Sequence, residues 1–380
     1  MSAHDAALLE AAEDFARRVI APAAPGWEAS GQVLPRAVVG AYAGLGLAAL
    51  QVSRARGGGG ASYATKLRVA GAIAAECFAS GFALNNLQGM VTRMEREGSP
   101  EQAARYLPAM MRGDIVCALS LTEPGAGSDA GAIATVARKV AGGWVLDGEK
   151  AWVTNGTIAD QLLLYAQTEP GAGLPGIASF IVDLHAPGIT RLGAEPVAGG
   201  FAIGAARIRL DGVHVPDADL FAPPGQAFRR ALAGITGARI HVAAMLNAAV
   251  RRSLGLAVSY AGERRSFGQT LLEHQGVRWQ LAGVATALEA AELLAERAAT
   301  LYAEGGDART EAAMAKKFAV ESAGRGVAAC MQAMGAAGLR RDLPLSRHLM
   351  AARVAAYVDG TTEMMNERVG AVLGERYRLS

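Results

Sequence analysis

Apolar spacing along the chain divides it into three stretches of different period. Leu8, Ala12, Phe15 and Val19 fall on one face of an amphipathic helix, which Pro22 and Pro25 are expected to interrupt. A loop over 53–62 follows, its Gly57 to Gly60 run reading as a plain linker, and the Ala-rich stretch 64–87 reads as a further helix. Ser99-Pro100-Glu101 signals a helix start, with Ser as cap, Pro in the first turn and Glu near the positive end of the dipole. Up to about residue 116 every regular segment reads as helical.

The period then drops to two. Trp144 to Thr154 places the turn-prone pair Asp147-Gly148 between β-rich runs, and 206–210 alternates before a second such pair, Asp211-Gly212. The runs 161–168 and 177–184 are apolar enough for buried strands. Past Pro223-Pro224-Gly225 the helical period returns: Val277, Leu281, Val284, Leu288, Ala291 and Ala295 form one long stripe that Gly305-Gly306 stops. Further helices are expected at about 308–334 and 344–357. Strands gathered in one block between helices predict an α+β protein, not the alternating order of a doubly wound sheet. The expected domains are 1–116 (helical), 117–222 (β) and 223–380 (helical).

Composition narrows the function classes. Of 380 residues 51% are hydrophobic and 19% charged, which supports a large core and excludes wholesale disorder. Lys and Arg number 37 against 35 Asp and Glu, a balance that argues against a dedicated nucleic-acid binder. No apolar run approaches the ~18–20 residues that span a bilayer, and the acidic start is unlike a leader peptide. Cys77, Cys117 and Cys330 lie far apart without a Cys-x-x-Cys pair, and the six histidines are scattered, so neither a disulfide framework nor a metal site is expected. A cytoplasmic protein without membrane or nucleic-acid partners is the expectation.

Two stretches could carry chemistry. In Thr122-Glu123-Pro124-Gly125-Ala126-Gly127-Ser128 the glycines let backbone N–H groups approach a ligand and the hydroxyls add donors, which suits a phosphate or a polar ring edge. In Tyr357-Val358-Asp359-Gly360-Thr361-Thr362-Glu363 an acid near the end of an apolar helix could act as a general base, although Asp-Gly is also a common turn. No Gly-x-Ser-x-Gly elbow and no His-Glu-x-x-His occurs. Residue chemistry alone ends at an enzyme-like protein with a phosphate-bearing ligand.

Four stretches together resemble the acyl-CoA dehydrogenase family of flavoproteins: 119–129 with 150–156 after it, 260–268 with Gln275, 332–338, and 357–363. The resemblance implies an N-terminal helical domain, a middle β-domain, a C-terminal four-helix domain, FAD, and a homotetramer. It implies that Leu121, Thr122, Gly127 and Ser128 line the flavin, with Ser128 also touching substrate. Trp152 and Thr154 would flank the ring system. Arg264, Ser266 and Gln275, with Gln332 and Gly335 from a neighbouring subunit, would hold the dinucleotide portion, and Thr361 and Glu363 would complete the flavin contacts. Arg239 and Gly360 would face the acyl-CoA.

The implied reaction is α,β-dehydrogenation of an acyl thioester in fatty acid metabolism, Asp359 taking the α-proton and flavin N5 the β-hydride, with an electron-transferring flavoprotein as acceptor. The substrate could ride on coenzyme A or on an acyl carrier protein. Departures from the family pattern widen the substrate question. Asp359 stands where most members carry Glu, Ala238 leaves the alternative base position empty, Val358 replaces a usual Tyr, and Met350-Ala351 stands where Arg-Asp is common. An Asp base is also what the nitroalkane oxidase branch uses, so a flavin oxidase of that kind, or a dehydrogenase of cyclic acyl groups, is the alternative.

Overall fold

The computed structural model describes residues 2–379. The first stretch is helical: α1 (Ala3–Phe15), α2 (Ala21–Ser30), α3 (Arg36–Gly44), α4 (Tyr63–Glu76), α5 (Phe78–Glu97) and α6 (Pro100–Arg112). Leu8, Ala12 and Phe15 are buried on α1, as their spacing predicts. The start of α6 closes a reciprocal cap: Ser99 Oγ accepts the Gln102 N–H at 3.2 Å and Gln102 Oε1 accepts the Ser99 N–H at 3.1 Å.

Three expectations for this stretch are corrected. Pro22 and Pro25 do not end the first helix. The chain passes through a wide turn, Ala16–Ile20, and resumes as α2 with Pro22 in its first turn and Pro25 inside it, and the Ala21 N–H reaches back to the Ala16 carbonyl. The wider turn takes up a missing donor that would otherwise leave a gap in the ladder. The stretch 64–87 is two helices, not one, because Cys77 is extended (φ −155°) between α4 and α5. Finally, Gly57 to Gly60 is a built turn. Its N–H groups bond the carbonyls of Arg54, Ser53, Ala49 and Val52, and a Cβ on Gly58 would meet the Val52 carbonyl oxygen at 2.3 Å.

The middle stretch is a sheet of β1 (Cys117–Ser120), β2 (Val136–Val140), β3 (Gly143–Val153), β4 (Gln161–Gln167), β5 (Ile177–Asp183), β6 (Ile189–Ala194), β7 (Ala206–Pro216) and β8 (Leu220–Ala222). Its order is β6-β7-β3-β2-β4-β5-β8, with β1 parallel to β4. β4 and β5 carry the apolar runs and are almost wholly buried. The two Asp-Gly pairs are not turns: both lie inside long strands, where the β3–β7 register shifts between Leu146 and Gly148. Asp147 Oδ1 accepts the Gly212 N–H at 2.7 Å, and a Cβ on Gly148 would meet Thr135 Oγ1 at 2.4 Å. The pairs therefore make a bulge that bends two strands together.

The last stretch is α7 (Ala227–Glu263), a short hairpin of β9 (Arg265–Ser266) and β10 (Gln269–Thr270), then α8 (Gln275–Ala303), α9 (Arg309–Met334), α10 (Leu345–Ala355), α11 (Thr362–Gly370) and α12 (Leu373–Tyr377). The stripe on α8 is buried from Leu281 to Ala295 against its neighbours. α4 and α5 pack against α7, which joins the two helical stretches. All three cysteines are buried and unbridged. No helix among the described residues is long and apolar enough to cross a membrane.

Candidate active site

The loop after β1 is held by a buried ion pair. Glu123 accepts from the Ala134 N–H (2.6 Å), the Thr135 N–H (3.0 Å) and Lys150 Nζ (2.7 Å). Lys150, 0% exposed, also donates to the Leu121 carbonyl at 3.1 Å, and the Ala151 N–H donates to the Thr122 carbonyl at 3.0 Å. Burial would raise the Glu123 carboxyl, but the Lys150 charge and these hydrogen bonds outweigh it and hold the group below its ordinary value. Glu123 and Ala126 exchange backbone hydrogen bonds, so Pro124 and Gly125 form a tight, exposed reversal. Gly127 and Ser128 are exposed beyond it. Neither Glu123 nor Lys150 is a sequence-predicted site residue, although both lie inside the quoted motifs; nothing in either run says that the two side chains meet.

β3 carries Trp152 and leads to Thr154. Trp152 has φ +57° and is 55% exposed, while Ala151 and Val153 on either side are buried. Asn155, at φ +61°, is pinned by its side chain to the Ala83 carbonyl on α5 at 2.9 Å. Among the described residues the hydroxyls of Thr122, Ser128 and Thr154 make no hydrogen bond.

The third component is the turn between α10 and α11. Asp359 adopts φ +53° and Gly360 φ +96°, conformations that L side chains rarely hold. Two cations clamp this turn through its backbone. Lys316 of α9, 1% exposed, donates from Nζ to the carbonyls of Val358 and Gly360, and Arg239 Nε of α7 donates to the Asp359 carbonyl at 3.0 Å. Burial pulls Lys316 down to about 8, against the nearby Asp359 charge. Burial likewise raises the Asp359 carboxyl, with Lys316 and Arg239 opposing in that order. Thr361 caps α11, accepting the Met364 N–H at 3.4 Å, and Glu363 is exposed in its first turn. The Asp359 N–H has no hydrogen-bond partner among the described residues. The role of Lys316 is absent from the sequence reading.

Asp359 opens into a cavity of about 210 Å3 between α4, α5 and α7, whose lining also includes Leu119, Leu121, Phe82, Tyr63 and Lys66. Leu121 and Asp359 are the sequence-predicted site residues on that lining. Arg264, Gln275, Gln332 and Gly335 are exposed and lie outside it, as does half-buried Ser266 in the hairpin whose tip, Phe267, is 96% exposed. Four residues other than glycine have positive φ among those described: Trp152, Asn155, Phe267 and Asp359. All four fall inside the motifs that carry the resemblance, and strained backbone of this kind gathers at functional sites.

Family models for the N-terminal, middle and C-terminal domains of acyl-CoA dehydrogenase match residues 2–114, 118–213 and 225–374. The chain belongs to the acyl-CoA dehydrogenase family. It is 34% identical to an acyl-CoA dehydrogenase of Bacillus subtilis (strain 168), over 92% of this chain and 93% of the relative. It is 32% identical to the human mitochondrial short-chain specific acyl-CoA dehydrogenase, over 98% and 90%. The structure of butyryl-CoA dehydrogenase from Megasphaera elsdenii superposes with a TM-score of 0.93 at 26% identity, covering 98% of each chain. The α+β architecture is that of the family, and the chain is an oxidoreductase acting on acyl-CoA.

Members of the family carry FAD, and the residues present fit it. The unpaired hydroxyls of Thr122, Ser128 and Thr154, the exposed face of Trp152 and the bare backbone at Gly125 and Gly127, where no atom lies within 4 Å of an added Cβ, leave donors and an aromatic surface free for a flavin.

Proposed function

We propose that this chain dehydrogenates an acyl-CoA between its α and β carbons, with Asp359 as the base that removes the α-proton. The observation that carries this is the position of Asp359: it lines the same cavity as Leu121, while its backbone is clamped by Lys316 and Arg239. A thioester α-proton is weakly acidic, so its removal needs a carboxylate and a donor for the developing enolate oxygen. The free Asp359 N–H is that donor. A base held in a fixed left-handed turn meets the α-carbon in one geometry, which compensates for a side chain one methylene shorter than Glu.

Bound FAD supplies the acceptor for the β-hydride. Leu121, Thr122, Gly127, Ser128, Trp152 and Thr154 would hold its ring system, Thr361 and Glu363 would add contacts, and Arg264, Ser266 and Gln275 would bind the dinucleotide end. Gln332 and Gly335 of a second copy would complete that end, and the proposed working form is the homotetramer that the family resemblance implies. Ser128, Arg239 and Gly360 would border the acyl-CoA, with Arg239 acting through the Asp359 carbonyl. An electron-transferring flavoprotein is the proposed acceptor, the cytoplasm the proposed compartment, and 116/117 and 222/223 the proposed domain boundaries.

Anaerobic mixing of the flavin-loaded protein with acyl-CoAs tests this reading. Loss of the oxidised flavin's visible absorbance with an acyl-CoA, abolished in Asp359→Asn, is the expected result. Bleaching by a nitroalkane and by no acyl-CoA would overturn it in favour of an oxidase.

A further inference from the structure

One wall of the cavity that Asp359 lines is built for charge. Lys66 projects from α4 into it and is only 5% exposed, yet among the described residues it has no hydrogen bond and no ion pair. An unpaired ammonium taken out of water is costly, and buried charges are ordinarily paired. Two neighbours lack partners as well. His241 of α7 lines the same wall, and its buried Nε2 has no hydrogen-bond partner. Arg96, at the open edge, makes no ion pair among the described residues and is close enough to Lys66 to lower it.

The anions on the lining answer neither Lys66 nor Arg96. Glu97 is paired with Arg93 at 3.1 Å, and Asp359 faces Lys316 and Arg239. Burial, with Arg96 adding to it, pulls Lys66 down to about 7, so a bound anion would hold its proton in place. A methyl-ended acyl chain would leave Lys66 and His241 dry and unpaired.

We propose that Lys66, with His241, is the receptor for a carboxylate at the distal end of the acyl chain, so that the substrates are ω-carboxyacyl thioesters. This rests on Asp359 marking the reacting end of the same cavity. Tyr63, tilted against both His241 and Tyr302 with ring centroids at 5.2 and 4.8 Å, and committed through its hydroxyl to the Gly237 carbonyl at 3.0 Å, lines the same cavity. A cavity of about 210 Å3 suits a short chain.

The test uses the flavin-loaded protein and matched pairs, butyryl-CoA against succinyl-CoA and hexanoyl-CoA against adipyl-CoA. Calorimetric binding is measured alongside flavin bleaching. The carboxylated member of at least one pair is expected to bind about tenfold or more tightly. Lys66→Met is expected to erase that difference and Lys66→Arg to keep most of it. Equal binding within both pairs of the unmodified protein overturns the proposal, as does a preference that survives Lys66→Met. Because binding is read separately, a protein that prefers the carboxylate but is bleached by nothing would refute the dehydrogenation and leave the receptor standing. Bleaching by butyryl-CoA without any preference would do the reverse.

Discussion

Lys150 in the sheet and Lys316 in the helical bundle are both fully buried, and burial pulls each of them down to about 8, but they are neutralised differently. Lys150 meets a carboxylate, Glu123, which also accepts from two backbone N–H groups. Lys316 meets backbone carbonyls and leaves the adjacent carboxylate of Asp359 without a bond to it. The first arrangement closes its charges and fixes a loop. The second spends the cation on positioning and keeps an anion available for chemistry, at the cost of a raised carboxyl. A buried lysine thus acts as a fastener or as a clamp according to which oxygen it reaches.

The largest effect is expected at the free carboxylate. Asp359→Asn is expected to slow acyl-CoA-driven flavin bleaching by about 10^3–10^4-fold, within the range of a lost general base, measured by anaerobic stopped flow. At the fastener, Lys150→Met should lower unfolding stability by about 3–5 kcal/mol, because Glu123 is left buried without its cation; denaturant midpoints of the flavin-loaded protein check this. An unchanged midpoint would mean that the loop is held by its backbone bonds alone.

At the clamp, Lys316→Met is expected to reduce turnover about 10^2-fold through misplacement of the base. It should also move the acid limb of the pH–rate profile upward, since a cation that lowers the Asp359 carboxyl is gone. A purely structural lysine would slow the reaction without moving that limb, and Lys316→Arg should restore part of both.

The smallest effect concerns stability. A carboxyl raised in the folded state binds its proton more tightly than in the unfolded chain. Its contribution is therefore fully present below the ordinary value of 3.8 and is lost as pH rises through the folded value. Above the folded value the ionised Asp359 is a net liability, so Asp359→Asn should unfold ~1–2 °C higher there. The gap should narrow as the pH is lowered.

Much of the architecture is legible in the sequence because it follows from local period: the α8 stripe, the buried runs of β4 and β5 and the capped start of α6 are each decided within a few residues. What is not legible depends on distant partners. Asp147-Gly148 and Asp211-Gly212 have the composition of turns, and only the bond between Asp147 and the Gly212 amide makes them a bulge. The break at Cys77 carries no Gly or Pro, so nothing local announces it. The site divides in the same way. Asp359 stands out by its motif, but Lys316 sits beside Lys317 in an Ala-rich helix, where one lysine is buried and its neighbour is partly exposed. Lys66 reads equally well as a solvated helix face. A lysine in a helical pattern does not state whether it meets water, a carbonyl or a ligand.

The burial of Cys77, Cys117 and Cys330 gives this protein a blank surface for thiol chemistry. Burial pushes the Cys117 thiol up to about 12 and the Cys330 thiol up to about 11, so little of either is thiolate at neutral pH. A fluorophore or spin label carried on a maleimide would find no native competitor. One cysteine introduced at the Phe267 tip would therefore place a single reporter on the hairpin without first stripping the chain of its own sulfur.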